Sequence, residues 1–298
     1  MPGALEEKVN KLMLVCGTVP VKDLPLISGR AVFEGEFLSV NGFKVPCAQG
    51  TAAMIGGALS VADCLKLEPP QALVVGDTGR GQGSYLLYEF LIQRVSTLSP
   101  DVLVLHYCLP DMTLMRKLCE SVRSCAKRPL MIADAASMYA AKAAGLATEF
   151  DIFTPDLCEM AFLADPDASH PAYINKHLFE ADIAKVPELV AAAYQLKSAA
   201  RLLLVKGAVD YIAEDGKVVD IVSEPNIPEL EAIGGTGDVI TGIVSALAYA
   251  GLELREAAKT SALVNRMAGK LARPSPATRV WQVISQLPAA LEQRRVTC

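Results

Sequence analysis

Gly234-Gly235-Thr236-Gly237-Asp238-Val239-Ile240-Thr241-Gly242-Ile243 is the stretch on which the reading of this chain turns. Its glycines let the backbone bend tightly and aim successive N–H groups at an anion. The apolar run continuing to Leu247 predicts a helix from about Asp238, whose N-terminal dipole adds positive charge. The pattern is a phosphate cradle with its own carboxylate. A carboxylate beside phosphate is repelled unless it takes a proton from an attacking hydroxyl, which makes Asp238 the candidate general base. A helix cap is the competing reading, but it leaves the three glycines around Thr236 unexplained.

Outward from this motif, apolar runs of strand length lie at residues 12–16, 72–75, 102–105, 130–133, 152–154 and 202–205. Continuous runs of this kind predict strands covered on both faces. Helical spacing alternates with them at 84–95, 112–125, 136–144, 187–200, 253–271 and 278–294. The expectation is an α/β fold with a mainly parallel central sheet and helices on both faces. Asn41-Gly42 within 36–45 and Asp215-Gly216 within 211–219 predict appended antiparallel hairpins. A proline-containing surface loop is expected at 165–172. No repeat, low-complexity tract or linker divides the chain, so residues 1–298 are expected to form one domain.

Composition narrows the function. Hydrophobic residues are 52% and charged ones 20%, enough for a large core. A net charge of −5 without basic clusters argues against a nucleic-acid partner. The uncharged stretch 239–252 is too short to span a bilayer, and Glu6, Glu7 and Lys8 precede only a short apolar run, unlike a secretory signal. Eight cysteines without a Cys-x-x-Cys pair, and three histidines, offer no metal-ligand spacing. Cys16 and Cys108 adjoin apolar runs and read as small buried hydrophobes in a reducing cytoplasm.

Ligands of parallel sheets bind beyond the carboxyl ends of the strands. Gly76-Asp77-Thr78-Gly79-Arg80-Gly81-Gln82-Gly83, Asp134, Asp156 with Glu159, and Lys206-Gly207 all follow strand-like runs. The first stretch fits neither a dinucleotide fingerprint nor a P-loop and is a plain loop or a ligand loop. Asp134 is a helix cap or a site residue, and Asp156 with Glu159 is a capping box or an active-site pair. Lys206 emerges on the ligand side and is expected to touch phosphate or nucleotide. His106 reads as a satisfied core residue, His170 and His177 fall in or near the proline-containing loop, and Trp281 reads as packing on the last helix.

Three segments in order, Thr154-Pro155-Asp156-Leu157-Cys158-Glu159-Met160, Leu204-Val205-Lys206-Gly207-Ala208 before a hairpin, and the Gly234 motif, resemble the ribokinase-like small-molecule kinases. Within that superfamily the chain most resembles the ADP/ATP-dependent NAD(P)H-hydrate dehydratases, with the match strongest from residue 130 onward. The resemblance implies a three-layer ribokinase-like fold. It implies an adenine nucleotide, ATP or ADP with Mg2+, bordered by Lys206, Gly207, Ala208, Val209 and Asp210, with its phosphates on Gly235, Thr236 and Gly237. Asp238 would be the base, and Thr51, Gly79, Asp134, Asp156 and Glu159 would face the substrate. Repair of hydrated NADH or NADPH by phosphoryl transfer and elimination is the implied reaction, in a cytoplasmic homo-oligomer acting on a small molecule. Asp156 stands where the family has histidine and Cys158 where it has glycine. A kinase of a vitamin precursor or sugar, and a silent nucleotide-binding protein, are the alternatives.

Overall fold

The computed structural model describes residues 11–168 and 185–295. His170, His177, Cys298 and the end of the expected loop at 165–172 lie outside them. Six strands run parallel: β1 (Met13–Val19), β5 (Gln71–Gly76), β6 (Val102–His106), β7 (Leu130–Asp134), β8 (Ile152–Phe153) and β9 (Leu202–Val205). One antiparallel edge is formed by β10 (Asp210–Glu214) and β11 (Lys217–Val222); the other by β2 (Ile27–Phe33), β3 (Phe37–Val40) and β4 (Phe43–Pro46). The order across the 11-stranded sheet is β11-β10-β9-β8-β7-β6-β1-β5-β2-β3-β4.

Alternating residues of the central strands feed two cores. Met13, Val15, Val102, Val104, Leu202 and Leu204 face one side. There they meet α1 (Gly50–Cys64), α7 (Thr236–Ala250), α8 (Leu254–Ala272), α9 (Val280–Ile284) and α10 (Leu287–Gln293). Leu14, Cys16, Leu103, Leu105 and Leu203 face the other side. They lie under α2 (Gln82–Leu98), α3 (Met112–Arg123), α4 (Ala136–Ala143), α5 (Leu157–Ala164) and α6 (Val186–Gln195). The result is three layers, with a mostly parallel sheet between helical ones. Cys16 and Cys108 are buried free thiols, as expected of small hydrophobes. Among the described residues no helix is long and apolar enough to cross a membrane.

Both hairpins form at the expected turns, with φ of 49° and 85° at Asn41-Gly42 and 50° and 77° at Asp215-Gly216. Those positive values match the right-handed twist of the flanking strands. Three differences from the sequence reading have local causes. Strand β2 carries little sequence signal because its inward positions are Ile27, Gly29, Ala31 and Phe33 while Val32 points out, so hydrophobic alternation is faint. Helix α1 has almost no polar face, and its first twelve residues apart from Ser60 are all buried. The single helix expected at 278–294 is two helices, because Pro288 has no N–H to give Ile284 and its ring crowds that carbonyl.

Candidate active site

A cleft of about 580 Å³ opens beyond the carboxyl ends of β6, β7 and β9. Its lining includes Lys206, Gly207, Ala208, Val209, Asp210, Gly235, Thr236, Gly237, Asp238, Asp134, Asp156 and Glu159. Thr51 and Gly79 are not in it. Thr51 is buried behind the site, and Gly79 lies on an outer loop whose N–H groups at 79, 80 and 81, with that of Ser84 in α2, all point to the Asp77 carboxylate.

Helix α7 starts two residues earlier than expected, at Thr236, so Asp238 is the third helical residue and not its cap. Its first i→i−4 bond runs from Val239 N–H to Gly235 C=O; before it, the Thr236 N–H reaches only the Ile233 carbonyl, at 3.5 Å, and those of Gly237 and Asp238 have no helical partner. Gly235 has φ 98°, and a Cβ there would lie 3.0 Å from Gln49 Cα, so only glycine makes this turn. The Thr236 hydroxyl is turned inward to the Leu230 and Ile233 carbonyls.

Asp238 is held from two sides. Gly50 N–H, at the start of α1, donates to Oδ2 at 2.7 Å, and His106 Nε2, at the end of β6, lies 3.0 Å from Oδ1. Burial pushes the carboxyl up, but the His106 bond and charge, Lys206 and the Gly50 N–H more than offset it and hold Asp238 below the ordinary carboxylate range. It therefore stays ionised. The close approach of the two helices depends on glycine: a Cβ at Gly242 would lie 2.1 Å from the Met54 carbonyl oxygen, and one at Gly57 would lie 3.0 Å from that of Val239.

Lys206 donates to both oxygens of Asp134 at 2.8 Å. Burial lowers the ammonium's pKa, but Asp134, Glu159 and Asp238 raise it further, so the lysine remains charged. Its tip lies 3.7 Å from where a Gly237 Cβ would be, beside the start of α7. A cation next to a helix N-terminus is electrostatically unfavourable; an anion in the cleft would answer both. Asp134 also accepts from the Thr241 hydroxyl at 2.6 Å and the Ala135 N–H at 2.8 Å. It therefore fixes Lys206 and has little acceptor capacity left for substrate. His106, Asp134 and Asp238 have ligand atoms within 4.8 Å of one another. With Lys206 already seated on Asp134 and His106 on Asp238, these donors do not fit a resident metal.

Asp156 and Glu159 form a reciprocal capping box at the start of α5, each accepting the other's N–H at 2.8 Å. Burial, then Asp156 and Asp134, push the Glu159 carboxyl up to about 8. Asp210 is paired with Arg266 Nε at 2.7 Å, and the same guanidinium donates to the Gly207 and Ala208 carbonyls at 2.9 Å. The turn from Lys206 to Asp210 is thus strapped from α8.

A family model described as NAD(P)H-hydrate dehydratase matches residues 82–287. The chain belongs to this family. The span that matches the NAD(P)H-hydrate dehydratase model contains the Lys206 and Gly235 segments, begins after Gly79 and leaves Thr51 outside. An uncharacterized protein of Methanocaldococcus jannaschii is 37% identical over 239 residues, 80% of this chain and 98% of its own. The ADP-dependent (S)-NAD(P)H-hydrate dehydratase of Xanthomonas campestris is 25% identical over 272 residues, 90% of this chain and 82% of its own. The Bacillus subtilis ADP/ATP-dependent NAD(P)H-hydrate dehydratase, co-crystallized with ATP/Mg2+, superposes with a TM-score of 0.53 at 15% identity, covering 80% of this chain and 85% of that one. The fold is ribokinase-like.

Two residues outside the sequence expectations hold groups of this cleft in place: His106 contacts Asp238, and Arg266 contacts Asp210 and the Gly207 and Ala208 carbonyls. His106 closes β6 at the carboxyl edge, the position that selected Asp134, but its apolar run made it read as core. Arg266 falls on the buried stripe of α8 with Ala258, Ala262 and Gly269. An arginine on such a stripe is a signal for a buried partner.

Proposed function

We propose that this chain repairs hydrated NADH or NADPH by dehydration, using ATP or ADP, with Asp238 as general base. One observation carries the reading: the Lys206 ammonium and the open N-terminal turn of α7 face the same cleft that holds the Asp238 carboxylate. Phosphate would rest on the N–H groups of Gly235, Thr236 and Gly237, where the helix dipole and Lys206 both favour negative charge. The stretch from Lys206 to Asp210 would border the rest of the nucleotide. Magnesium would come with the phosphates and offset their charge.

In this reading Asp238 takes the proton of the ring hydroxyl as that oxygen attacks the terminal phosphorus. The bond from phosphorus to the nucleotide oxygen breaks, releasing ADP from ATP or AMP from ADP. The ring carbon–oxygen bond then breaks with its electrons leaving on phosphate, while the adjacent carbon loses a proton and the ring double bond returns. Phosphoryl transfer of this kind is largely a matter of positioning and charge.

A second reading, a kinase of a small hydroxylated metabolite, is favoured by one feature. The cleft wall carries Asp156 where the dehydratase pattern has histidine, beside Glu159, and an ionised aspartate accepts hydrogen bonds but repels phosphate. The deciding assay follows ATP and ADP consumption with hydrated NADH, hydrated NADPH and a panel of vitamin precursors and sugars. Return of NADH absorbance with one phosphate released per molecule is the expected result. Nucleotide consumption with a panel member and none with the hydrates would replace repair by the kinase reading; no consumption with any acceptor would refute both.

A further inference from the structure

We propose that His106 is the positioning residue of Asp238, fixing the carboxylate through a proton held between Nε2 and Oδ1. This rests on the reading of Asp238 as base. The imidazole is fully buried, and its two nitrogens face two different groups: Nε2 lies 3.0 Å from Asp238 Oδ1 and Nδ1 lies 2.9 Å from the Thr51 hydroxyl. That hydroxyl in turn sits 2.7 Å from the Thr18 carbonyl oxygen. If Thr51 donates to Thr18, its oxygen accepts from Nδ1–H, and the pair of His106 and Asp238 then needs one more proton, because otherwise two lone pairs would face each other at Nε2 and Oδ1. If Thr51 turns its hydrogen to Nδ1, the ring's own proton is on Nε2. Every satisfied arrangement puts a proton between the ring and the carboxylate.

The chain has no slack. A Cβ at Gly17 would lie 2.4 Å from the His106 carbonyl oxygen and 2.5 Å from Thr51 Oγ1, so strand β1 admits no side chain there. The Tyr107 ring meets the imidazole edge-on, with centroids 4.4 Å apart. With Gly50 N–H on the other carboxylate oxygen, Asp238 is fixed at both ends, and the lone pair left on each oxygen is set by donors from β6 and α1. A carboxylate aimed in this way meets the acceptor hydroxyl without first having to reorient.

The experiment has a spectroscopic arm and a kinetic arm. With three histidines in the chain, the ring N–H signals of 15N-labelled protein are few. A proton bonded to a buried carboxylate should give a downfield, slowly exchanging resonance. It should be present in the native protein, absent in H106Q, and lost or moved far upfield in D238A. In the kinetic arm, H106L removes the donor, whereas H106Q restores an amide N–H near the position of Nε2. Nucleotide turnover in H106L should fall about 100-fold in kcat, the lower range for loss of acid–base support, with KM within about threefold, and H106Q should recover about tenfold of that. A downfield resonance unchanged in D238A would overturn the proposal, as would native turnover in H106L or equal losses in H106L and H106Q. If the native protein consumes no nucleotide, the functional reading fails while the resonance still decides the contact. If H106L does not fold, D238A, which keeps the imidazole, decides it in the same way.

Discussion

The Asp238 carboxylate is held at both oxygens, by Gly50 N–H and by His106 Nε2. These contacts stabilise its charge, so in the proposed role of base it would accept a proton only as the acceptor oxygen bonds to phosphorus. Asp238→Asn should retain nucleotide binding, measured by calorimetry, and lose roughly two to four orders of magnitude of turnover; turnover near native would remove Asp238 from the chemistry. Asp156 is exposed on the cleft wall and also caps α5, so replacing it costs about 1 kcal/mol of helix capping, which a melting curve of the variant separates from any change in acceptor choice. Asp156→His should raise activity on hydrated NADH if the aspartate has shifted the substrate, and efficient repair by the native protein, unaltered in the variant, would make the departure neutral. Glu159 supplies a test by pH. Its folded value of about 8 lies above the ordinary 4.5, so in that interval the native state keeps a proton that the unfolded chain has lost. Stability on this account falls as pH rises from about 5 to about 8 and then levels. Melting of Glu159→Gln, which cannot ionise, should depend less on pH across that interval, and parallel curves for the two proteins would contradict it.

The decisive contact between elements is the crossing of α1 and α7, set by glycines at 57 and 242. Gly242→Ala would gain up to about 1 kcal/mol of helix propensity. The new Cβ, 2.1 Å from the Met54 carbonyl oxygen, forces the helices apart, and overpacking of this kind costs about 1–3 kcal/mol, so the crossing loses. The expected outcome is a lower melting temperature and a larger drop in turnover than that loss explains, because Gly50 moves off Asp238. A variant with native turnover would show that the spacing is not critical. At this scale the hairpins were legible, since Asn-Gly and Asp-Gly turns act over four residues. Strand β2 was not, because its place beside β5 comes from partner strands and not from its own alternation.

Across the molecule, Arg266 ties α8 to the edge of the sheet through Asp210 and three backbone carbonyls, those of Gly207, Ala208 and Ser223. Removing one member of a buried ion pair leaves an uncompensated charge, at about 3–5 kcal/mol. Arg266→Met should therefore unfold at much lower urea than the native protein, and adding Asp210→Leu should bring back part of the loss. A double variant no more stable than the single one would mean that the carbonyl contacts, not the charge pair, hold this edge.

The sequence by itself determined the alternation of strands and helices, the two hairpin turns, and a glycine-lined helix start carrying a carboxylate. Each is written in residues a few positions apart, where periodicity and backbone freedom act. Tertiary structure alone decided which groups meet that carboxylate. His106 and Gly50 lie 132 and 188 positions from Asp238, and Lys206 reaches Asp134 across 72. Such pairings depend on strand order, on helix spacing fixed by Gly57 and Gly242, and on which face of each element turns inward, so Thr51 ended behind the site, Gly79 outside the cleft and His106 against Asp238.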